Sequence, residues 1–147
     1  GRTLLSELER AWRRYGMYLS KQISEVHSGR GGADHIASIM SRVRQTRPRS
    51  IAGHEVTAFI DLSTATRRAA NGTISEVALP KGNVLAMELE GGHRVMLRPS
   101  GTEPKIKFYF DVRIDMSEGE TTERARERGE VQLHNLAEGL AAITSGE

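Results

Sequence analysis

The chain has 147 residues, 37% hydrophobic and 27% charged, with 21 basic and 19 acidic side chains for a formal net charge of +2. That length carries one domain with a real core and room for an extra element. The near balance of charge, with basic residues spread among acidic ones, argues against a general nucleic-acid binder, although the pI of 9.2 leans basic. No apolar run approaches the roughly 20 residues of a membrane span, and the absence of cysteine excludes disulfides and thiolate metal sites and fits a cytoplasmic protein. The start is amphipathic and charged, without a signal-peptide pattern. It opens on Gly1 rather than Met, so the chain is expected to be a piece of a longer polypeptide or a processed form.

Leu4, Leu5, Leu8, Ala11, Trp12 and Tyr15 recur at helical spacing, which predicts an amphipathic helix from Thr3 to about Tyr15. Thr3 is placed to cap it and Gly16 to end it. From Met17 to about Val26 the period changes to two, predicting a strand with Met17, Leu19, Lys21, Ile23 and Glu25 on one face. The run from Ser28 to Gly32 breaks the chain.

Asp34 is expected to cap a second helix carrying Ile36, Ile39, Met40 and Val43 on one stripe, ending before Pro48. Residues 51–61 read as one strand region. Residues 63–81, rich in Thr, Ala, Arg, Asn and Gly, read as a long surface loop. Strands over 84–89 and 94–97 follow, joined at Glu90-Gly91-Gly92-His93, where paired glycines supply the positive φ of a hairpin turn. A last strand has Ile106, Phe108, Phe110, Val112 and Ile114 on one face and Lys105, Lys107, Tyr109 and Asp111 on the other. A helix from Ser117 to about Thr144 closes the chain, with Leu133, Leu136, Leu140 and Ile143 as its stripe.

The chemistry concentrates in Arg98-Pro99-Ser100-Gly101-Thr102-Glu103-Pro104-Lys105. Arg98 can grip two phosphate oxygens with its planar fork. Ser100 and Thr102 offer hydroxyl donors, and Gly101 allows close approach and tight turning. Backbone N–H groups from Ser100 to Thr102 are candidates for a nest around one oxyanion. Pro99 and Pro104 stiffen the loop, while Lys105, and Lys107 if the strand stays in register, add charge. A plain hairpin turn does not need this set. Glu103 repels phosphate, so it is assigned a supporting role with Pro99 and Pro104, pairing with a cation or pointing away.

Other sites fare worse. Ser100 is not in a Gly-x-Ser-x-Gly elbow, and no nucleotide P-loop occurs. His27, His35, His54, His93 and His134 are scattered and read as surface or partly satisfied histidines. Tyr18, Tyr109, Phe108 and Phe110 read as core or sheet-face residues.

The stretch from Arg98 to Tyr109 resembles the α-D-phosphohexomutases: phosphoglucomutase, phosphomannomutase and their phosphopentomutase relatives. The likeness extends to Asn83-Val84-Leu85, to Gly91-Gly92-His93-Arg94-Val95, and to Thr3-Leu4-Leu5, Tyr15-Gly16 and the helix over 36–43. It is weakest at 63–81. The resemblance implies an α+β fold: a TATA-binding-protein-like antiparallel sheet of about four strands backed by helices, preceded by one helix from the neighbouring domain. Residues 1–16 would be the closing helix of the preceding domain and a hinge near Arg14-Tyr15-Gly16. Residues 17–147 would be the C-terminal phosphate-binding domain.

In that family the loop grips the phosphate of the substrate that is not reacting. Sugar 1-phosphate and 6-phosphate are interconverted through a phosphoserine and a bisphosphate intermediate, with Mg2+ held by aspartates of another domain. No phosphoserine, magnesium or sugar-selecting loop of the family's pattern occurs here. No catalytic residue and no metal ligand is therefore assigned to this chain, which is expected to be inactive alone. Arg98, Ser100, Gly101, Thr102, Lys105 and Lys107 would bind the phosphate. The implied partners are glucose or mannose phosphates and the upstream domains of the same polypeptide, with no nucleic acid and no membrane. The alternative is a stand-alone phosphate- or nucleic-acid-binding module.

Overall fold

The computed structural model describes residues 1–146. Helix α1 spans Leu4–Tyr15. Thr3 Oγ1 accepts from the Ser6 N–H at 3.1 Å while Ser6 Oγ accepts from the Thr3 N–H at 3.0 Å, a reciprocal cap. Gly16 ends the helix at φ +89°, its N–H donating to the Trp12 carbonyl. No residue of α1 is buried. Trp12 packs on the core, whereas Leu4, Leu5 and Leu8 face outward.

Strand β1 (Met17–Val26) pairs antiparallel with β8 (Lys105–Ile114) along its whole length, Met17 opposite Ile114 and Val26 opposite Lys105. Between them in sequence come α2 (Gly32–Thr46), β2 (Ser50–Ile51), β3 (His54–Asp61), β4 (Thr66–Ala69), β5 (Ile74–Glu76), β6 (Leu85–Leu89) and β7 (His93–Pro99). Helix α3 (Thr122–Ser145) follows β8. The sheet order is β1-β8-β7-β6-β3-β4-β5, with β2 paired to β3. All pairings are antiparallel.

One face of this sheet is the core. Ile106, Phe108, Phe110, Val112 and Ile114 of β8 are all buried, against Val95 and Leu97 of β7 and Leu85 and Met87 of β6. Ile36, Ile39, Met40 and Val43 of α2 and Leu133, Leu136 and Leu140 of α3 complete it. At roughly 1.5–3 kcal/mol for each fully buried large apolar side chain, the inward face of β8 alone anchors its register firmly. The alternate residues of β8, Lys105, Lys107 and Tyr109, are thereby fixed on the opposite face. Among the described residues no helix is long and apolar enough to cross a membrane.

The α+β class, with an antiparallel sheet and helices, is what the chain adopts, but the sheet has eight strands rather than about four. The expected single strand over 51–61 is two strands, because Ala52 and Gly53 turn the chain at φ +50° and +81°. The expected loop over 63–81 contains β4 and β5, paired to each other. Their mainly polar residues hide them from hydrophobic periodicity; β5 is exposed at the sheet edge, while the half-buried β4 lies between β3 and β5. Asp34 does not cap α2. The cap position is Gly31 in the left-handed region, without a side-chain hydrogen bond, and Asp34 lies in the first turn. Helix α3 starts later than Ser117, at a cap by Thr121, whose hydroxyl accepts from the Arg124 N–H.

Candidate functional site

The 98–107 segment is the β7–β8 connection. Register sets Arg98 opposite Lys107 and Pro99 opposite Ile106. Across β1, Lys107 stands opposite Ser24 and Lys105 opposite Val26. Arg98, Lys105, Lys107 and Tyr109 thus share the sheet face away from the core. With Ser100 and Gly101 they line an open cleft of about 240 Å³. Arg98, Ser100, Gly101, Lys105 and Lys107 are brought together as the sequence suggests, with Pro99 and Glu103 on the same lining. Thr102 and Pro104 are not part of it. Tyr109 is an addition that its period-two spacing from Lys105 and Lys107 signals.

The loop is held by its own backbone. The Ser100 N–H donates to the Lys105 carbonyl at 2.8 Å, and the Lys105 N–H donates to the Glu103 carbonyl at 2.7 Å. Ser100 Oγ accepts from the N–H groups of Thr102 (3.4 Å) and Glu103 (3.2 Å). Outside the hairpin, the Pro104 carbonyl accepts from the His27 N–H at 2.8 Å. That last contact ties the loop to the start of α2, where Gly32 lies so close that a Cβ would come within 1.6 Å of the His27 carbonyl oxygen.

These bonds narrow the expected N–H nest. The Ser100 N–H closes the hairpin and the Thr102 N–H leans on Ser100 Oγ, which leaves the Gly101 N–H without a hydrogen bond among the described residues. Gly101 itself is not at positive φ, and a Cβ there would meet nothing within 4 Å. The turn therefore does not need glycine at this position. Glu103 makes no ion pair among the described residues, and its visible contribution is through its backbone.

Arg98, Lys105 and Lys107 are likewise unpaired among the described residues, while six arginine–carboxylate pairs form elsewhere. Three cations around one cleft repel each other mildly in water and are drawn together by an anion. The side-chain hydrogen bonds of Ser100 run only to backbone N–H groups. Among the described residues no base is bonded to its hydroxyl.

The histidines lie elsewhere, largely in pairs. His27 and His35 lie 4.7 Å apart between ring centroids, tilted at 54°, beside Glu25. His54 and His93 meet edge-on at 4.9 Å. His93 is buried rather than at the surface, and its Nδ1 accepts from the Arg113 N–H at 3.2 Å. Burial, and secondarily His54, push its pKa below the usual histidine value. Among the described residues no group of three or more His, Asp or Glu side chains converges to hold a metal.

The sequence profile of the family described as "Phosphoglucomutase/phosphomannomutase, C-terminal domain" matches residues 55–128, which include the whole cleft. The chain is 38% identical over 116 residues to a phosphoglucomutase of Staphylococcus haemolyticus, covering 78% of this chain and 21% of that one. It is 36% identical over 113 residues to a probable phosphomannomutase of Haemophilus influenzae, covering 77% of this chain and 20% of the other. This chain thus spans about a fifth of the length of the curated relatives it matches. The open form of pp63/parafusin, a phosphoglucomutase from Paramecium, aligns in structure over 97% of this chain and 24% of its own, with 14% identity and a TM-score of 0.49.

Proposed function

This chain belongs to the phosphoglucomutase/phosphomannomutase C-terminal domain family, and on that footing we propose that its cleft grips the non-reacting phosphate of a sugar phosphate. The single observation that carries this is the juxtaposition of Arg98 and Lys107 across β7 and β8, with Lys105 beside them and, among the described residues, no acid paired to any of the three. Arg98 supplies the bidentate fork, Lys107 and Lys105 the charge, and Ser100 Oγ a donor whose lone pairs are already engaged. The Gly101 N–H completes the set, and Thr102 adds a hydroxyl once the loop closes on its ligand.

In this reading the chain binds and orients substrate within a longer polypeptide that interconverts sugar 1-phosphate and 6-phosphate. Phosphoserine and Mg2+ chemistry would reside on other domains. The exposed Leu4, Leu5 and Leu8 face of α1 would pack against the preceding domain, with the chain pivoting at Gly16. Remote binding energy of this kind holds the reacting end in place and helps exclude water.

Each charge-assisted hydrogen bond contributes about 1.5–3 kcal/mol, and association costs roughly 4–15 kcal/mol. Free sugar phosphate should therefore bind this chain at around millimolar concentration, about −4 kcal/mol. A backbone-amide titration with glucose 1-phosphate tests the proposal. Saturable shifts centred on residues 98–109, lost in Arg98→Ala, are expected. Shifts spread along the chain with DNA, and none with sugar phosphate, would overturn it.

A further inference from the structure

A second basic depression lies at the other end of the molecule. Arg47 and Arg49, on the α2–β2 connection, and Arg68, on β4, surround a hollow of about 470 Å³ floored by Val56 and Phe59. Val56 and Phe59 belong to the core side of the sheet. The hollow therefore opens on the face opposite Arg98, beyond the cover of α2 and α3, and the two sites share no residue.

The arginines here are unpaired in a neighbourhood where others are paired. Arg44, one turn before Arg47, bonds Asp61 at 3.1 Å and also Asn83. Arg67, next to Arg68 but on the other side of β4, bonds Glu88 at 2.9 Å. Among the described residues none of Arg47, Arg49 and Arg68 makes an ion pair or a side-chain hydrogen bond, and no acid lines the hollow.

Cations after a helix C-terminus offset its dipole, which would account for Arg47 and Arg49 but not for Arg68. Pro48 stiffens the segment between the first two. Arg47 is held at φ +41°, an uncommon conformation for a long side chain, on the rim of the hollow.

We propose that this hollow is a second anion site, for a small organic phosphate whose charged group meets the three guanidinium forks and whose apolar body lies on Val56 and Phe59. Its volume lies within the roughly 300–1,000 Å³ of small-molecule pockets. Planar guanidinium groups without competing carboxylates favour phosphate oxygens, and the floor favours an organic ester over the bare ion. The site stands independently of the Arg98 cleft.

Phenyl phosphate and inorganic phosphate, titrated separately into the 147-residue chain and followed by backbone-amide shifts, test it. Saturable shifts at residues 46–49 and 68–70 are expected, with phenyl phosphate binding more tightly. Arg49→Ala with Arg68→Ala should weaken this response at least about tenfold and leave the response at 98–109 unchanged. Arg68→Gln alone should weaken it in the same direction. Sodium chloride at matched ionic strength reproducing the shifts, equal affinity in the double variant, or saturation by an acidic peptide but not by phenyl phosphate would each overturn the proposal. Absence of shifts at 98–109 alone would instead overturn the sugar-phosphate reading of the first cleft.

Discussion

Arg98 and Lys107 stand directly opposite each other in the β7–β8 pair, on the face turned away from the core. The reverse face imposes this: Leu97 pairs with Phe108 and Val95 with Phe110, all buried. A one-residue slip would carry Lys107 inward and Phe108 outward. The core thus forces two cations together that would separate if the chain were free to choose.

Like charges directly opposite on a sheet cost about 0.2–1 kcal/mol. Lys107→Gln, which keeps the stem and removes the charge, should raise the unfolding free energy by that amount at low salt. Salt screens exposed charges, so the gain should vanish at high ionic strength. Phosphate should raise the melting temperature of the parent chain and barely move the variant. Urea denaturation at two salt concentrations, with and without phosphate, checks both halves. A loss of stability at low salt would show that the pair is not strained.

Gly101→Ala separates folding from binding at a single atom. The added methyl meets nothing within 4 Å, and φ is not positive. Stability should be unchanged or rise by up to about 1 kcal/mol through a stiffer unfolded chain. Affinity for glucose 1-phosphate should fall about tenfold, because the methyl occupies the approach to the Gly101 N–H. Calorimetry and an amide titration on one sample decide it. Falling stability with intact binding would assign Gly101 to the fold.

Much of this was legible in the sequence, for a physical reason. β8 alternates without a break from Lys105 to Ile114, and that period alone places Lys105, Lys107 and Tyr109 on one face. Arg98 joins them because the Gly91-Gly92 turn, at φ +85° and +84°, sets the β6–β7 hairpin that delivers it. What the sequence hid are features that leave no apolar period. β4 and β5 are built mainly from polar residues, half-buried in β4 and exposed in β5, and β2 turns back through Ala52, a residue not marked for positive φ. The Arg47, Arg49 and Arg68 hollow joins a helix end to β4, so it becomes visible only once that strand is paired.

Gly32→Ala should couple folding to binding, where Gly101→Ala separates them. Its Cβ would fall 1.6 Å from the His27 carbonyl oxygen, an impossible contact with backbone rather than with a flexible side-chain tip. His27 must move, and its N–H is the donor to Pro104 at the foot of the phosphate loop. A loss of about 2–3 kcal/mol in stability, accompanied by weaker sugar-phosphate binding, is expected from urea denaturation and titration. Wild-type stability would mean that the 27–32 connection does not support the loop.

Glu120 contributes to the acid limb of stability. Arg128 grips its carboxylate through two nitrogens at 2.7 and 2.8 Å, and the Ser117 N–H donates to it at 3.0 Å. These bonds, the Arg128 one foremost, hold its pKa down to about 2 from an ordinary 4.5. A lowered carboxylate pKa stabilises the fold above the unfolded value. That contribution is lost as pH falls from about 4.5 towards 2. Glu120→Gln should therefore be less stable than the parent at neutral pH, with the gap closing across that window. A gap independent of pH would place the effect in packing rather than charge.

His93 sets a second and separate slope nearer neutrality. It is 8% exposed, and its Nδ1 must be unprotonated to accept from the Arg113 N–H. His54 lies edge-on against it and is itself bonded to Gln132. Burial first, then the neighbouring His54, lowers the His93 pKa from 6.5. The unfolded chain takes up its proton near the ordinary value while the folded chain does not. Stability therefore declines as pH drops below about 6.5, until the folded pKa is reached. His93→Gln should be less stable at neutral pH, having lost a buried acceptor for Arg113. Its stability should nevertheless fall less steeply as pH drops below about 6.5. Urea midpoints across that range, measured on both chains, decide the point: parallel curves would assign the slope to another histidine.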